Sequence, residues 1–419
     1  MIMMRRYIMT YLAAIVAAVS CTGVADLKVT EEPGTLVPIE FAVPMTKGAI
    51  YNEHDLVNNS SIFGMFAVDT QAESLNDDDG LNIRNQECRY VAATDKEKAS
   101  LRFGRLPNDK TLYFPMNSSV AYDFYTYHRW TSKIVEYEDG TMTISDSEDI
   151  QTVSEMTSTD RHVDVALGIA SQYDVLWAKS VAPAVQDGDG NPIPGYNASY
   201  IRKTGNIPSF KFSHPAAGIR FMIVLDPEST EKIYKTDHLR LLTMKFTGAE
   251  SKAITTEAAL RVIDLDDQNL EGKFVASLAT RPFQSWINNV GNSGNLNFDL
   301  LADADGDGVV ETCVKEPVQL SSEHFIMPMD EPLEVTLTLR HDRINSEGTI
   351  TGRWPEVVKT FTLDPKDFGA AESGYKAGIM YNYKIVVKYV NDTPNTPTND
   401  KIEVAIVPET APDKVVDIL

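Results

Sequence analysis

Cys21 carries the plainest chemistry in this sequence. Arg5 and Arg6 precede an apolar run from Tyr11 to Val19, which ends in the small residues Ala18-Val19-Ser20, directly before the thiol. This pattern reads as a bacterial secretory signal with a lipoprotein-type cleavage site. The cut falls just before Cys21, whose sulfur takes the lipid, and each buried CH₂ contributes about 0.8 kcal/mol of membrane affinity. The apolar run is shorter than the ~20 residues needed to span a bilayer. Residues 1–20 are therefore expected to be absent from the fold, and a Gram-negative envelope is the expected compartment.

A second constellation is Asp303-Ala304-Asp305-Gly306-Asp307-Gly308, with carboxylates at alternate positions and glycine at the sixth, as at the start of a calcium loop. Glu311 fills the ninth position, but the twelfth is Val314 where a bidentate Glu belongs. The expectation is a β-turn loop, with a weak Ca²⁺ site at Asp303, Asp305 and Asp307 as the alternative and no other cofactor. His54, His128, His162, His214, His238, His324 and His341 show no HExxH spacing, and no GxSxG, P-loop or GxGxxG context is present. His214 lies in a strand-like stretch and is expected to be a hydrogen-bonded structural histidine. Trp130, Trp177, Trp286 and Trp354 are expected as core or loop anchors rather than a sugar platform. Cys88 and Cys313 could bond in an oxidising compartment, but two unrelated buried thiols are expected. No catalytic constellation emerges, so no enzyme is expected.

The 419 residues become 399 when 20 are removed, which calls for two domains. The formal charge of −22 becomes −24 on losing Arg5 and Arg6. So acidic a surface argues against nucleic acid and against adsorption to anionic membrane.

The elements that position these residues read as strands. Leu36 to Val43 is apolar, with Pro38 confining it to an edge or a strand end. Further candidates are 61–68, 111–115, 120–127, 175–178, 209–213, 219–225, 239–246, 258–263, 333–340, 357–363 and 381–390. In 120–127 the alternation sets Tyr122, Phe124 and Thr126 on one face and Asp123, Tyr125 and Tyr127 on the other. Asp/Asn/Gly clusters at 76–80, 187–195, 303–308 and 391–400 supply turns. No long segment has a 3.6-residue period, so the class is all-β, built of sandwiches. The expected boundary lies near 211–217.

Several phrases, in order along the chain, resemble the fimbrillins, the lipoprotein-derived subunits of type V pili. They are Phe41 to Ala49 (FAVPMTKGA), Ser61 to Val68, Tyr113 to Tyr127 (YFPMNSSVAYDFYTY), Asp174 to Ala178 (DVLWA), Phe210 to Val224, Ile326 to Met329, and Ala377 to Lys388 (AGIMYNYKIVVK). Met329 departs from the usual Gln, and Ile379 stands where a basic residue is common.

The resemblance implies two tandem transthyretin-like Greek-key β-sandwich domains. It divides the chain into a signal (1–20), a tether with a removable first strand (21–47), an N-terminal sandwich (48–213), a C-terminal sandwich (214–390) and a linker with a candidate donor strand (391–419). It implies palmitate-type lipid on Cys21, anchoring at the outer membrane, and cleavage by a Lys/Arg-specific protease. The cut would fall at Lys47–Gly48 and remove Leu36 to Val43. Another pilin subunit would then fill the groove by strand addition, and head-to-tail filling grows a fibre. The candidate donor is Ile402 to Val407, with Ile402, Val404 and Ile406 on one face. The alternative for that segment is a final edge strand paired within its own domain. For the whole chain the alternative is a surface lipoprotein binding glycan through a β-sandwich.

Overall fold

The computed structural model describes residues 35–43, 62–75, 81–95, 97–105, 108–116, 119–138, 141–146, 161–170, 174–186, 189–226, 237–281, 284–285, 298–302, 311–312, 316–320, 323–345, 349–353, 355–368, 374–389, 402–408 and 413–414. The near-continuous apolar strand Ile62–Asp69 sits at the centre of the N-terminal half. An alternating strand needs only one core; this one is buried on both faces. Phe63, Met65 and Ala67 enter one core, and Phe66 and Val68 enter another. Its neighbour Tyr122–His128 divides in the same way. Tyr122 and Phe124 face the first core, Tyr125 and Tyr127 the second, as the alternation predicts.

These strands lie in a seven-stranded antiparallel sheet, ordered 41–42, 100–105, 81–91, 62–69, 122–128, 176–180, with 108–109 beside 100–105. Gly64 stands directly opposite Tyr127. A side chain there would collide with the tyrosine ring, whose hydroxyl donates to Asn85 Oδ1 at 2.7 Å. A strand glycine under a close-approaching group is the expected use of that residue.

One face of this sheet is covered by a five-stranded sheet ordered 273–281, 254–264, 162–168, 133–138, 141–146. Val163, Val165 and Leu167 pack there with Ala258, Leu260 and Val262 against Phe66 and Tyr127. The other face is covered by less regular chain: 35–43, the stretch around Phe114, and 193–213 with its helix Ala198–Thr204. Sequence reading does not find that helix. Its signals are short: Asn197 caps Tyr200 N–H at 2.8 Å, and Gly205 ends it at φ 67°.

The C-terminal half is a second sandwich. One sheet orders 318–319, 217–225, 379–389, 402–408, with 324–326 beside 217–225 and 413–414 beside 379–389. The other orders 311–312, 298–302, 237–248, 333–344, 350–353, with 357–363 also on 333–344 and 284–285 on 237–248. Ala217–Leu225 and Ile379–Tyr389 pair in parallel over eight residues, so the first and a late strand of this half lie side by side. Phe221, Ile223, Ile385 and Val387 meet Leu239, Leu241, Leu337 and Leu339 in the core between the sheets. Tyr375 and Tyr383 join there with hydroxyls 3.0 Å apart, and Tyr375 donates to the Leu363 carbonyl at 3.0 Å. The all-β sandwich class is as expected. The five-stranded sheet, however, takes strands from both sides of the expected boundary near 211–217. The hairpin 254–281 leaves the C-terminal half and pairs with 162–168.

Candidate strand-exchange site

Val37, Ile39, Phe41 and Val43 are all buried, while Leu36 and Glu40 are exposed and Pro38 and Ala42 half-buried. This is the alternation of a strand with one face in a core. Phe41 is 1% exposed and lies 5.2 to 5.5 Å, ring to ring, from Phe103, Phe124 and Phe210. Burying each of the four side chains contributes roughly 1.5–3 kcal/mol.

The backbone of this segment is held by three separate stretches. Ile39 N–H donates to the Leu112 carbonyl at 2.8 Å, and Phe114 N–H donates to the Val37 carbonyl at 2.9 Å. Pro38 therefore stands opposite Tyr113 in a non-hydrogen-bonded pair, where its missing N–H costs nothing. Val43 N–H reaches the Ala99 carbonyl at 3.0 Å. On the other side, Ala42 N–H donates to the Pro208 carbonyl at 2.9 Å and its carbonyl accepts from Phe210 N–H at 3.2 Å. Withdrawing residues 36–43 would leave the carbonyls of Ala99, Leu112 and Pro208 and the N–H groups of Phe114 and Phe210 without these partners. Their side would open onto an apolar floor. Such unmade bonds are costly, so the resulting groove is chemically suited to another extended strand. Arg202, on the helix, donates to the Thr35 carbonyl and fixes the entry of the segment.

The strand Ile402–Pro408 pairs antiparallel with Ile379–Tyr389, from Tyr389↔Ile402 to Tyr383↔Pro408. Val404 and Ile406 are half-buried against the C-terminal core. The strand stands at the sheet edge, and among the described residues no strand pairs with its outer side.

Cys21, Lys47, Gly48, Asp303, Asp305 and Asp307 lie outside the described residues, as do Cys313, His54, Trp286, Trp354 and the stretch 391–401. Cys88 is buried, and burial pushes its thiol well above the usual range. His214 Nδ1 lies 2.5 Å from Asp174 Oδ2, with both side chains almost wholly buried at 2% and 0% exposure. The pair ties the approach to strand Leu176–Ser180 to the exit of the N-terminal half. It is out of reach of any substrate. Burial lowers His128 to about 3. Trp130 donates to the Asn85 carbonyl at 3.0 Å and Trp177 to the Val262 carbonyl at 3.0 Å, so each anchors one element to another. Among the described residues no helix is long and apolar enough to cross a membrane.

No family model matches the chain, and no curated protein matches it. Solved structures similar to it include a proposed cell adhesion protein from Bacteroides uniformis ATCC 8492, at 13% identity and TM-score 0.42, covering 92% of this chain and 100% of that one. A proposed cell adhesion protein from Bacteroides ovatus ATCC 8483 is 11% identical with a TM-score of 0.39, covering 89% of this chain and 96% of that one. The fimbrial anchor protein Mfa2 from Porphyromonas gingivalis is 8% identical with a TM-score of 0.29, covering 89% of this chain and 99% of that one.

Proposed function

We propose that this protein is a structural subunit of a type V pilus that serves cell adhesion. It is exported as a lipoprotein through Cys21, carried to the outer membrane, and activated by a Lys/Arg-specific protease that cuts at Lys47–Gly48. It is not an enzyme. The observation that carries this reading is the seating of residues 36–43. A short segment, joined to the rest only through the chain before the next strand, plugs an apolar trough and satisfies backbone groups of three other stretches. Its removal would create an acceptor groove, and a strand from another subunit would fill it.

Digestion of the full chain with a Lys/Arg-specific protease tests this. The expected result is cleavage after Lys47, release of the first strand and formation of oligomers. A chain resistant at Lys47, or one that stays monomeric after the cut, overturns the polymerising reading.

The seating of Ile402–Pro408 favours a second reading, in which the chain caps or anchors and does not donate its last strand. Val404 and Ile406 are committed to their own core. In that reading the N-terminus and its lipid are retained and the protein stands at the pilus base or tip. An intact, monomeric product in the same digestion supports it.

A further inference from the structure

Strands Asp237–Gly248 and Leu333–Ile344 put Leu239, Leu241, Leu337 and Leu339 into the C-terminal core. The alternate residues face outward, and two rows of them are charged. In the first row Arg240 stands opposite Arg340 on one side and Asp299 on the other. In the second row Asp342 stands opposite His238 and Arg353. Two like charges directly opposite in a sheet are destabilising. A ladder that served only to tie strands together would not place them so.

The contacts within these rows are equally specific. Asp299 Oδ1 lies 2.9 Å from Arg240 Nε and 2.8 Å from His238 Nε2. Asp342, at 2% exposure, takes Arg340 Nε on one oxygen and Arg353 Nε on the other, both at 3.0 Å. Each of these guanidinium contacts is made through Nε. The terminal N–H groups, whose fork matches a carboxylate or sulfate bidentately, are not spent on Asp299 or Asp342. Three guanidiniums thus stand against two carboxylates in a chain of net charge −22. Buried Asp342 acts as the positioning residue that aims two of them. Along the same face Thr336 and Thr360 pair their hydroxyls at 2.9 Å, with Lys245 opposite Thr336. The face therefore continues as hydroxyl and ammonium, with Val358 exposed among them opposite Thr338.

We infer that this face is an oxyanion-binding site, built on Arg240, Arg340 and Arg353, for the carboxylate or sulfate group of an acidic saccharide or a free inorganic anion. It lies on the sheet that lacks both the first strand and the last, so it stands independently of strand exchange.

The test is isothermal titration calorimetry of the full chain with sodium sulfate, sodium glucuronate and neutral glucose. Saturable heat with glucuronate, with or without sulfate, and none with glucose upholds the site and assigns the anion to a sugar; heat with sulfate alone upholds it for an inorganic anion. Arg353→Gln removes one fork at a position 53% exposed and leaves buried Asp342 its contact with Arg340. Arg340→Lys keeps the charge and removes the other fork. About a tenfold loss of affinity in either variant, with an unchanged melting temperature in Arg353→Gln, is the expected result. Absence of heat with both anions, equal heat with glucose, or unchanged affinity in both variants overturns it.

Discussion

Asp123 shows how a residue legible on its strand acquires its chemistry from a distant element. The alternation of 120–127 places it with Tyr125 and Tyr127, facing the hairpin 254–281. Burial pushes its carboxyl up to about 6; the Lys179 ammonium opposes the shift and Glu271 adds to it. Glu271, in the hairpin turn, is itself raised, first by burial, while Lys179 Nζ holds it at 3.2 Å. A carboxyl raised above its unfolded value of ~3.9 favours the folded state when protonated. That contribution is fully present below about pH 4 and is lost as pH rises through about 6. Asp123→Asn should therefore melt above the parent at neutral pH, and the gap should close between pH 6 and pH 4. Thermal melts of both proteins across that window check it, and a gap that does not change with pH refutes the assignment. Phe41 is the complementary case, since its burial follows from the 36–43 alternation alone. Phe41→Ala should cost about 3–5 kcal/mol in chemical denaturation, the range for emptying an aromatic site in a packed core. The charge rows at Arg240 and Arg340 were hidden from sequence reading because only the register of two distant strands brings them opposite.

At the scale of elements, apolar strands were legible and polar ones were not. Residues 357–363 were expected and found at those bounds, and 61–68, 239–246, 333–340 and 381–390 lie within a few residues of strands. Leu81–Val91 reads LNIRNQECRYV, and Lys133–Glu138 is similarly mixed. Their polar residues mask a period of two that pairing completes. The stretches 111–115 and 209–213 were expected as strands and occur as isolated bridges at Tyr113, Ser209 and Ser213. The last strand was legible as a strand, but its partner was not, because the parallel pairing beside it depends on the opposite end of the domain. Deleting 401–419 removes, among the described residues, two half-buried aliphatic side chains and the ladders of 402–408 and 413–414 from a core that otherwise remains. The truncated chain should stay folded and monomeric, with a loss on the order of 2 kcal/mol. Denaturant midpoints of both proteins check this, and an unchanged midpoint would show that the strand is not seated at that edge.

At the scale of the whole molecule, the hairpin 254–281 decides whether the two halves are separable. Composition and turn signals place a boundary near 211–217, and nothing local warns that a later hairpin returns across it. Yet Ile254–Asp264 pairs with His162–Gly168 from Glu257↔Gly168 to Asp264↔His162. Arg261 holds Asp164 through Nε at 2.6 Å and a second nitrogen at 3.0 Å, and Asp264 at 2.5 Å. Asp164 is 0% exposed. Without Arg261 it would be a buried carboxylate stripped of its ion pair, a loss that costs several kcal/mol. Trp177 adds a second lock, because Gly272, at φ +71°, leaves room for the indole where a side chain would lie 2.6 Å from it. A fragment ending at residue 213 would uncover Phe66, Val68, Tyr125 and Tyr127 and strand Asp164 together. Residues 35–213 alone should therefore show no cooperative thermal transition, whereas residues 35–281 restore the hairpin and should protect that core in hydrogen exchange. A cooperative melt from the shorter fragment would mean that the halves fold independently and that the hairpin is an accessory. Its absence would mean that the two halves fold as one interlocked body, held together by the hairpin 254–281.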